Sequence, residues 1–157
     1  MIASLIVATP LGAMLMKTED DEISGLSWIA GRKRTHGSSM RANSPTLLAA
    51  QRWLDDYFAG KFRPVDFPLR AEGTHFQRQV WQAISEIPLG ETLSYGDIAK
   101  KIKSGPRAVG NACGTNPIAV AIPCHRVLAA GGRMGGYSGG NGLETKRELL
   151  QHEGVLR

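Results

Sequence analysis

Two capping-box signatures in the second half of the chain constrain its fold more than any other feature. In such a box a Ser or Thr caps the first helical turn, and a side chain three residues later returns a hydrogen bond. Thr74-His-Phe-Gln77 and Ser94-Tyr-Gly-Asp97 both fit this pattern. Apolar residues at helical spacing follow the first box, so the second half is predicted to be mostly helical.

A short break separates the second boxed helix from the next one. Ser104-Gly-Pro106 forms the break, and the next helix is predicted over residues 107–113. Two short helices joined by a tight turn that contains glycine are a candidate helix-turn-helix. Basic residues between Lys100 and Arg107 fall on this unit, which favours DNA binding over an ordinary helical hairpin.

The first part of the chain predicts a small β-rich unit followed by a helix. The runs Leu5–Ala8, Ala13–Lys17 and Ile23–Ile29 are apolar or alternate as strands do. The helix has Ser44 as its cap and Pro45 at its first position.

Prolines and a glycine between residues 64 and 73 mark a linker. We therefore expect two domains, an N-terminal α/β domain over residues 1–70 and a mostly α C-terminal domain over residues 71–157.

Positive charge is concentrated in one stretch. The 157 residues carry 19 Lys and Arg against 14 Asp and Glu, but from Ile98 to Leu143 there are six basic residues and no acidic one. This indicates a surface for an anionic partner, with a solvated basic face as the alternative. The absence of a long apolar run excludes a membrane span. Two cysteines without a signal peptide indicate a reducing compartment, the cytoplasm.

Cys124 is the candidate nucleophile. It follows Pro123, precedes a predicted helical turn, and has His125 and Arg126 as neighbours. Such surroundings lower the pKa of a thiol, whereas a buried structural cysteine is the alternative, which Cys113 fits better. Because neighbours in sequence rarely face each other, we expect His125 to act through water and to be oriented by an acid.

A glycine-rich segment follows, in which seven of the twelve residues from Gly131 to Gly142 are glycine. It predicts either close backbone approach to a ligand or a flexible loop. A last helix is predicted from Leu143 to about Glu153, with Leu149 among its apolar residues. The histidines are scattered and no Cys-x-x-Cys occurs, so no metal site is predicted.

The motif Pro123-Cys-His-Arg-Val127 resembles the active-site signature of the O6-alkylguanine-DNA alkyltransferases, also called methylated-DNA–protein-cysteine methyltransferases. The resemblance covers nearly the whole chain and includes Thr9-Pro-Leu-Gly12, Gly73-Thr-x-Phe-Gln77, Ile87-Pro-x-Gly-Glu91, Arg107-Ala-Val-Gly110, Gly136-Tyr-Ser-Gly-Gly140 and Leu149-Leu-x-His-Glu-Gly154.

That resemblance implies direct repair of DNA damage. The protein would flip O6-alkylguanine, with O4-alkylthymine as a second candidate, out of duplex DNA and transfer the alkyl group irreversibly to Cys124, once per molecule and without a cofactor. The implied fold is a ribonuclease H-like N-terminal domain with a small antiparallel sheet and a C-terminal domain with a helix-turn-helix. The implied partner is double-stranded DNA, bound through its minor groove by a monomer, with no metal.

The resemblance also assigns catalytic roles. Cys124 matches the alkyl acceptor, and His125 with Glu153 matches a relay through water that forms the thiolate. Asn116 matches the residue that braces the turn beside the active site. Tyr95 matches the tyrosine that hydrogen-bonds guanine N3 and supplies a proton as the base leaves.

Further matched positions contact the base or the DNA. Cys124 and Val127 offer carbonyls to the guanine amino group, and Ser138 lies where a loop N–H meets O6, beside Tyr137. Arg107 matches the arginine that fills the gap left by the flipped nucleotide. The other positions expected to contact DNA are Ala108, Gly110, Ser94 and Arg126.

Gly114-Thr115 departs from the family pattern, which often has an arginine or other polar residue there, and we expect one DNA contact to be weaker. Two alternatives stay open. A lesion-binding protein without transfer is one, although such relatives carry another residue at the position of Cys124. A thiol hydrolase is the other, but it leaves the basic stretch unexplained.

Overall fold

The structure, a computed structural model, describes residues 2–29, 40–41 and 44–156. The chain divides into two compact units, Met1–Ala71 and Glu72–Arg157. The first unit contains β1 (Ile2–Thr9), β2 (Gly12–Glu19), β3 (Glu22–Trp28), β4 (Met40–Arg41) and α1 (Pro45–Phe58). The second contains α2 (His75–Ser85), β5 (Leu93–Ser94), α3 (Tyr95–Ile102), α4 (Pro106–Gly114), β6 (Val127–Leu128) and α5 (Leu143–His152).

The first unit is an antiparallel sheet covered by one helix. Its strand order is β3-β2-β1-β4, so the three predicted strands form a meander, which confirms the expected α/β unit with a small antiparallel sheet. Alternate residues of β1, Ala3, Leu5 and Val7, are buried, as the period of a strand requires. Helix α1 packs against β1, β2 and β3.

Helix α1 begins where its cap was predicted. The Ser44 hydroxyl accepts a hydrogen bond from the Leu47 N–H at 3.0 Å, and Pro45 occupies the first turn. Part of the predicted linker between residues 64 and 73 is hydrogen-bonded to the sheet. Ile23 donates to the Pro68 carbonyl at 2.9 Å and accepts from the Arg70 N–H at 2.7 Å, so residues 68–70 pair with strand β3.

The second unit is built on three helices that contact one another, α2, α3 and α4. Both predicted capping boxes are formed. The Thr74 hydroxyl accepts from the Gln77 N–H at 3.1 Å while the Gln77 side chain accepts from the Thr74 N–H at 2.8 Å. Ser94 and Asp97 repeat the arrangement at 3.0 and 2.9 Å. The Trp81 indole N–H donates to the Ala112 carbonyl at 2.9 Å and joins α2 to α4.

Only residues 103–105 separate α3 from α4. Lys103 ends α3 in the left-handed conformation, with a φ of 56°, and the Ser104 N–H donates to the Ala99 carbonyl at 2.8 Å. Helix α4 then begins at Pro106, one residue before its predicted start. This connection of three residues brings α4 into contact with α3.

A two-stranded parallel pair, β5 with β6, places the start of α3 next to the segment that follows Cys124. Helix α5 contacts the turn that begins at Cys124. Its buried face includes Lys146, Leu149 and Leu150, which are fully buried, whereas the apolar Leu143 is 45% exposed. None of the helices in the described part of the chain is long and apolar enough to cross a membrane.

Candidate active site

Cys124 begins a 3-10 turn, Cys124–Arg126, that follows a tight loop. Asn116 braces this loop, since its Nδ2 donates to the Ile122 carbonyl at 2.8 Å and its Oδ1 accepts from the Ile118 N–H at 2.9 Å. Val120 within the loop has a φ of 69°, a conformation that a β-branched residue rarely adopts. The amide of Asn116 therefore holds a strained loop and fixes the position of Cys124.

The Cys124 thiol is buried, with 8% of the residue exposed. Burial raises the pKa of this thiol, because a thiolate loses its hydration. A hydrogen bond from Asn116 and the positive charge of Lys146 act in the opposite direction. The sequence predicts a lowered pKa for Cys124, whereas the structure raises it. The sequence shows which residues are next to Cys124 in the chain, but it does not show that the thiol is removed from water.

A buried acid orients His125. Its Nε2 lies 2.6 Å from Oε2 of Glu153, and both side chains are fully buried. Burial lowers the pKa of His125, while the Glu153 carboxylate raises it. The other ring nitrogen, Nδ1, is buried and has no hydrogen-bond partner among the residues described. The pair has the oriented ring and the unsatisfied nitrogen that a relay through water requires.

Arg126 holds the same carboxylate, which corrects its expected contact with DNA. Its Nε donates to Oε1 of Glu153 at 2.7 Å and its Nη2 to Oε2 at 3.2 Å. Its Nη1 donates to the Ile87 carbonyl at 2.7 Å. Because the side chain is only 12% exposed, its donors serve Glu153 rather than a phosphate.

Tyr95 lies at the start of α3, and its hydroxyl accepts a hydrogen bond from the Gly136 N–H at 3.4 Å. Burial raises the pKa of this phenol, so it keeps its proton at neutral pH. Gly135 lies against the ring with a φ of 71°, and a Cβ there would lie 2.8 Å from the hydroxyl oxygen. Glycine at this position lets the glycine-rich segment approach Tyr95 closely.

Cys124 and Tyr95 both line a pocket of about 760 Å³, a volume within the range of small-molecule sites. The residues predicted from the sequence that line it are Ser94, Tyr95, Arg107, Gly110, Cys124, Tyr137 and Ser138. The residues predicted for the site that do not line it are Ala108, Asn116, His125, Arg126, Val127 and Glu153.

The Ser138 hydroxyl donates to the Gly114 carbonyl at 3.1 Å and so links the glycine-rich wall of the pocket to the end of α4. Cys113 also lines the pocket, although the sequence favoured a structural role for it. Burial raises the pKa of Cys113 to about 12, so Cys113 stays a neutral thiol at physiological pH.

Lys146 is not among the site residues predicted from the sequence, and it is fully buried. Its Nζ donates to the carbonyls of Val127, Met134 and Gly136. A signal for it does exist, because Lys146 is spaced three, four and seven residues from Leu149, Leu150 and Glu153 along α5. Charged residues on the buried face of a helix need partners inside the protein.

The basic residues of α3 and α4 face solvent. Lys100, Lys101 and Lys103 are exposed, and so is Arg107 at the mouth of the pocket. In the described residues, no group of three His, Cys, Asp or Glu side chains is placed to hold a metal ion. The site therefore combines a buried thiol, a neutral phenol and an exposed basic surface.

Comparison with known proteins agrees with this chemistry. The family model described as 6-O-methylguanine DNA methyltransferase, DNA binding domain, matches residues 75–155. A methylated-DNA–protein-cysteine methyltransferase of Methanosarcina acetivorans is 41% identical over 152 residues, 95% of this chain and 96% of the relative.

Solved structures give the same result. An O6-methylguanine methyltransferase of Mycobacterium tuberculosis is 37% identical with a TM-score of 0.82, over 98% of this chain and 93% of that chain. OGT from the same organism in complex with DNA is 38% identical with a TM-score of 0.82, over 96% and 92% of the two chains. The chain thus belongs to the family of methylated-DNA–protein-cysteine methyltransferases.

Proposed function

We propose that this protein repairs alkylated DNA by moving the alkyl group from O6 of guanine to the sulfur of Cys124. The observation that carries this proposal is the position of Cys124, which lines a pocket of about 760 Å³ together with Tyr95 and Arg107. A pocket of this kind accepts a single base with its substituent.

The transfer is a displacement at the alkyl carbon. The thiol proton leaves through water toward Nδ1 of His125, whose ring Glu153 orients at 2.6 Å. The thiolate then forms a carbon–sulfur bond as the carbon–oxygen bond breaks, and the bonding electrons stay with guanine. The product is a thioether, and neither water nor a neutral imidazole displaces a thiolate from an unactivated alkyl carbon, so each molecule acts once.

Tyr95 is the proposed donor to the leaving base. As the carbon–oxygen bond breaks, negative charge develops on guanine, and a proton from the phenol to N3 neutralises it. The raised pKa of Tyr95 supports this role, because the hydroxyl must hold its proton until the transition state. Among the described residues, the hydroxyl has one hydrogen-bond partner, the Gly136 N–H at 3.4 Å. The hydroxyl is the acceptor in this bond, so its own proton is available.

The base is held by groups around the pocket. Carbonyls of Cys124 and Val127 accept from the guanine amino group, and the Val127 oxygen has a second lone pair beside the one that Lys146 uses. Ser138 and Tyr137 belong to the wall that faces O6. The backbone of this glycine-rich wall leaves room for the alkyl substituent.

DNA is bound at the exposed surface of α3 and α4, which we propose to act as a helix-turn-helix in the minor groove. Ala108 and Gly110 are small and allow close approach of the α4 backbone, and Ser94 lies at the start of α3. Arg107, exposed at the pocket mouth, fills the gap when the nucleotide is flipped. Flipping is needed because a stacked base does not reach a buried thiol.

The two units have different proposed roles. Residues 71–157 form the DNA-binding and active-site domain, while residues 1–70 form a ribonuclease H-like domain, supported by the antiparallel meander and its covering helix. We further propose that the protein acts as a monomer in the cytoplasm, a reducing compartment in which Cys124 stays a thiol.

Intact mass tests the proposal. The protein is incubated with a duplex oligonucleotide that contains O6-methylguanine, and one methyl group is expected on Cys124. Cys124→Ser should gain none, whereas Cys113→Ser should still gain one. Tight binding of the lesion without a mass change would favour the lesion-binding alternative, and release of many product molecules per protein would favour an ordinary enzyme. Either result would overturn the proposal. A duplex with O4-methylthymine tests the second substrate.

A further inference from the structure

Lys146 is the buried charged group that the proposed mechanism does not use. Its side chain is fully buried, and its Nζ donates to the Val127 carbonyl at 2.7 Å and the Gly136 carbonyl at 3.1 Å, with the Met134 carbonyl as the third acceptor. An ammonium has three donors, so all of them are used on backbone oxygens.

The charge of Lys146 has no carboxylate partner within the described residues. Burial of such a charge is costly, and it lowers the pKa of Lys146. Negative charge on Cys124 or Cys113 would act against that shift. The thiols are therefore the groups whose ionised forms this ammonium is placed to stabilise.

We propose that Lys146 is a positioning residue that clamps the wall of the pocket onto strand β6 and holds a positive charge beside Cys124. The proposal rests on the proposed function, because Cys124 is the alkyl acceptor there. It adds a residue whose Nζ binds backbone carbonyls and makes no hydrogen bond to the sulfur of Cys124.

The clamp joins the two ends of one loop. Val127 begins β6 directly after the turn of Cys124, and Met134 and Gly136 lie in the glycine-rich segment. Gly136 is held on both sides, because its carbonyl accepts from Lys146 and its N–H donates to the Tyr95 hydroxyl. Loss of the clamp would release the wall and the hydrogen-bond partner of Tyr95 together.

The charge acts on the titratable groups of the site. The ammonium lowers the pKa of Cys124, of Cys113 and of His125. It therefore favours the thiolate and keeps the imidazole neutral as a base. Tyr95 also lies close, with its ring centroid 5.8 Å from Nζ.

Lys146→Met tests the proposal, since it removes the charge and the donors at similar length. The reaction of Cys124 with iodoacetamide, followed by peptide mass across a pH range, reports the apparent pKa of this thiol. We expect the midpoint to rise by about one unit and transfer from free O6-benzylguanine at neutral pH to slow about tenfold. Lys61→Met, at an exposed position of the first unit, should match wild type.

Lys146→Arg keeps the positive charge. The midpoint of the iodoacetamide reaction of Cys124 should therefore return toward the wild-type value, even if the larger guanidinium slows transfer. If the methionine protein does not fold, Lys146→Gln, which keeps two N–H donors, takes its place and should still raise the midpoint. A variant with an unchanged midpoint and transfer rate would overturn the proposal. Absence of any methyl gain in the wild-type protein would instead overturn the proposed function.

Discussion

Nε2 of His125 and Oε2 of Glu153 lie 2.6 Å apart, and neither side chain has any exposed surface. The same carboxylate accepts two hydrogen bonds from Arg126, at 2.7 and 3.2 Å. Glu153 therefore has a double function. It fixes the tautomer and orientation of the imidazole, and it neutralises the largely buried guanidinium of Arg126.

Glu153→Gln should impair both functions. The carboxylate raises the pKa of His125, so its loss lowers that pKa further and makes the imidazole a weaker base. We expect transfer from free O6-benzylguanine to slow by about 10²-fold. We also expect unfolding free energy to fall by about 1.5–3 kcal/mol, because charged hydrogen bonds to Arg126 are lost.

Single-turnover kinetics and denaturant unfolding measure these two effects. Glu91→Gln, at an exposed position in the same unit, is the matched control and should leave both quantities unchanged. A stable Glu153→Gln protein with the wild-type rate would contradict the relay.

Asn116→Ala should destabilise the loop before Cys124. The substitution leaves the Ile118 N–H without its side-chain acceptor and removes one of two donors to the Ile122 carbonyl, which still accepts from the Cys124 N–H at 2.8 Å. We expect a cost of about 1–3 kcal/mol. It also removes a hydrogen bond that lowers the pKa of Cys124, so the iodoacetamide midpoint of this thiol should rise. Asn111→Ala, on the exposed side of α4, is the control for both measurements. If stability falls but the iodoacetamide midpoint of Cys124 does not change, Asn116 stabilises the loop without affecting the thiol.

Tyr95→Phe should slow transfer about 10²-fold while most of the affinity for DNA remains. The reason is the loss of the proton donor, whereas the ring that fills the pocket wall is retained. Because burial raises the pKa of Tyr95, wild-type transfer should lose no activity from phenol ionisation up to pH about 9. Rates over this pH range, with binding measured on the same duplex, check both statements. An unchanged rate in the phenylalanine variant would remove Tyr95 from the chemistry.

The starts of the helices could be predicted because they depend on residues that are close together in the sequence. A cap such as Ser44 or Thr74 acts on N–H groups three residues away, so the sequence alone indicates where its helix begins. Leu143 shows the limit of such reasoning, because its hydrophobicity does not tell which face of α5 is buried.

The parts of the site that could not be predicted are formed by contacts between residues that are far apart in the sequence. Lys146 binds a carbonyl 19 residues away, and Arg126 binds a carboxylate 27 residues away. The sequence does not show either partner, and it predicts a contact with DNA for Arg126. The pKa of Cys124 differs from the prediction for a similar reason. His125 and Arg126 are neighbours of Cys124 in the chain, but Nε2 of His125 and Nε of Arg126 bind Glu153.

Arg107→Ala should separate base flipping from chemistry. Arg107 is exposed at the mouth of the pocket, and it makes no hydrogen bond or ion pair with another of the described residues, so its side chain is available to DNA. Without it, the flipped state of the nucleotide loses the group that fills the gap in the stack, and the cost of unstacking is not offset. We expect repair of O6-methylguanine in duplex DNA to slow by at least about tenfold, with little change for free O6-benzylguanine, which needs no flipping. Arg52→Ala, exposed on α1, should change neither rate. Equal losses on the two substrates would assign Arg107 to the pocket itself, because a residue that acts only on flipping has no means to slow the reaction of a free base.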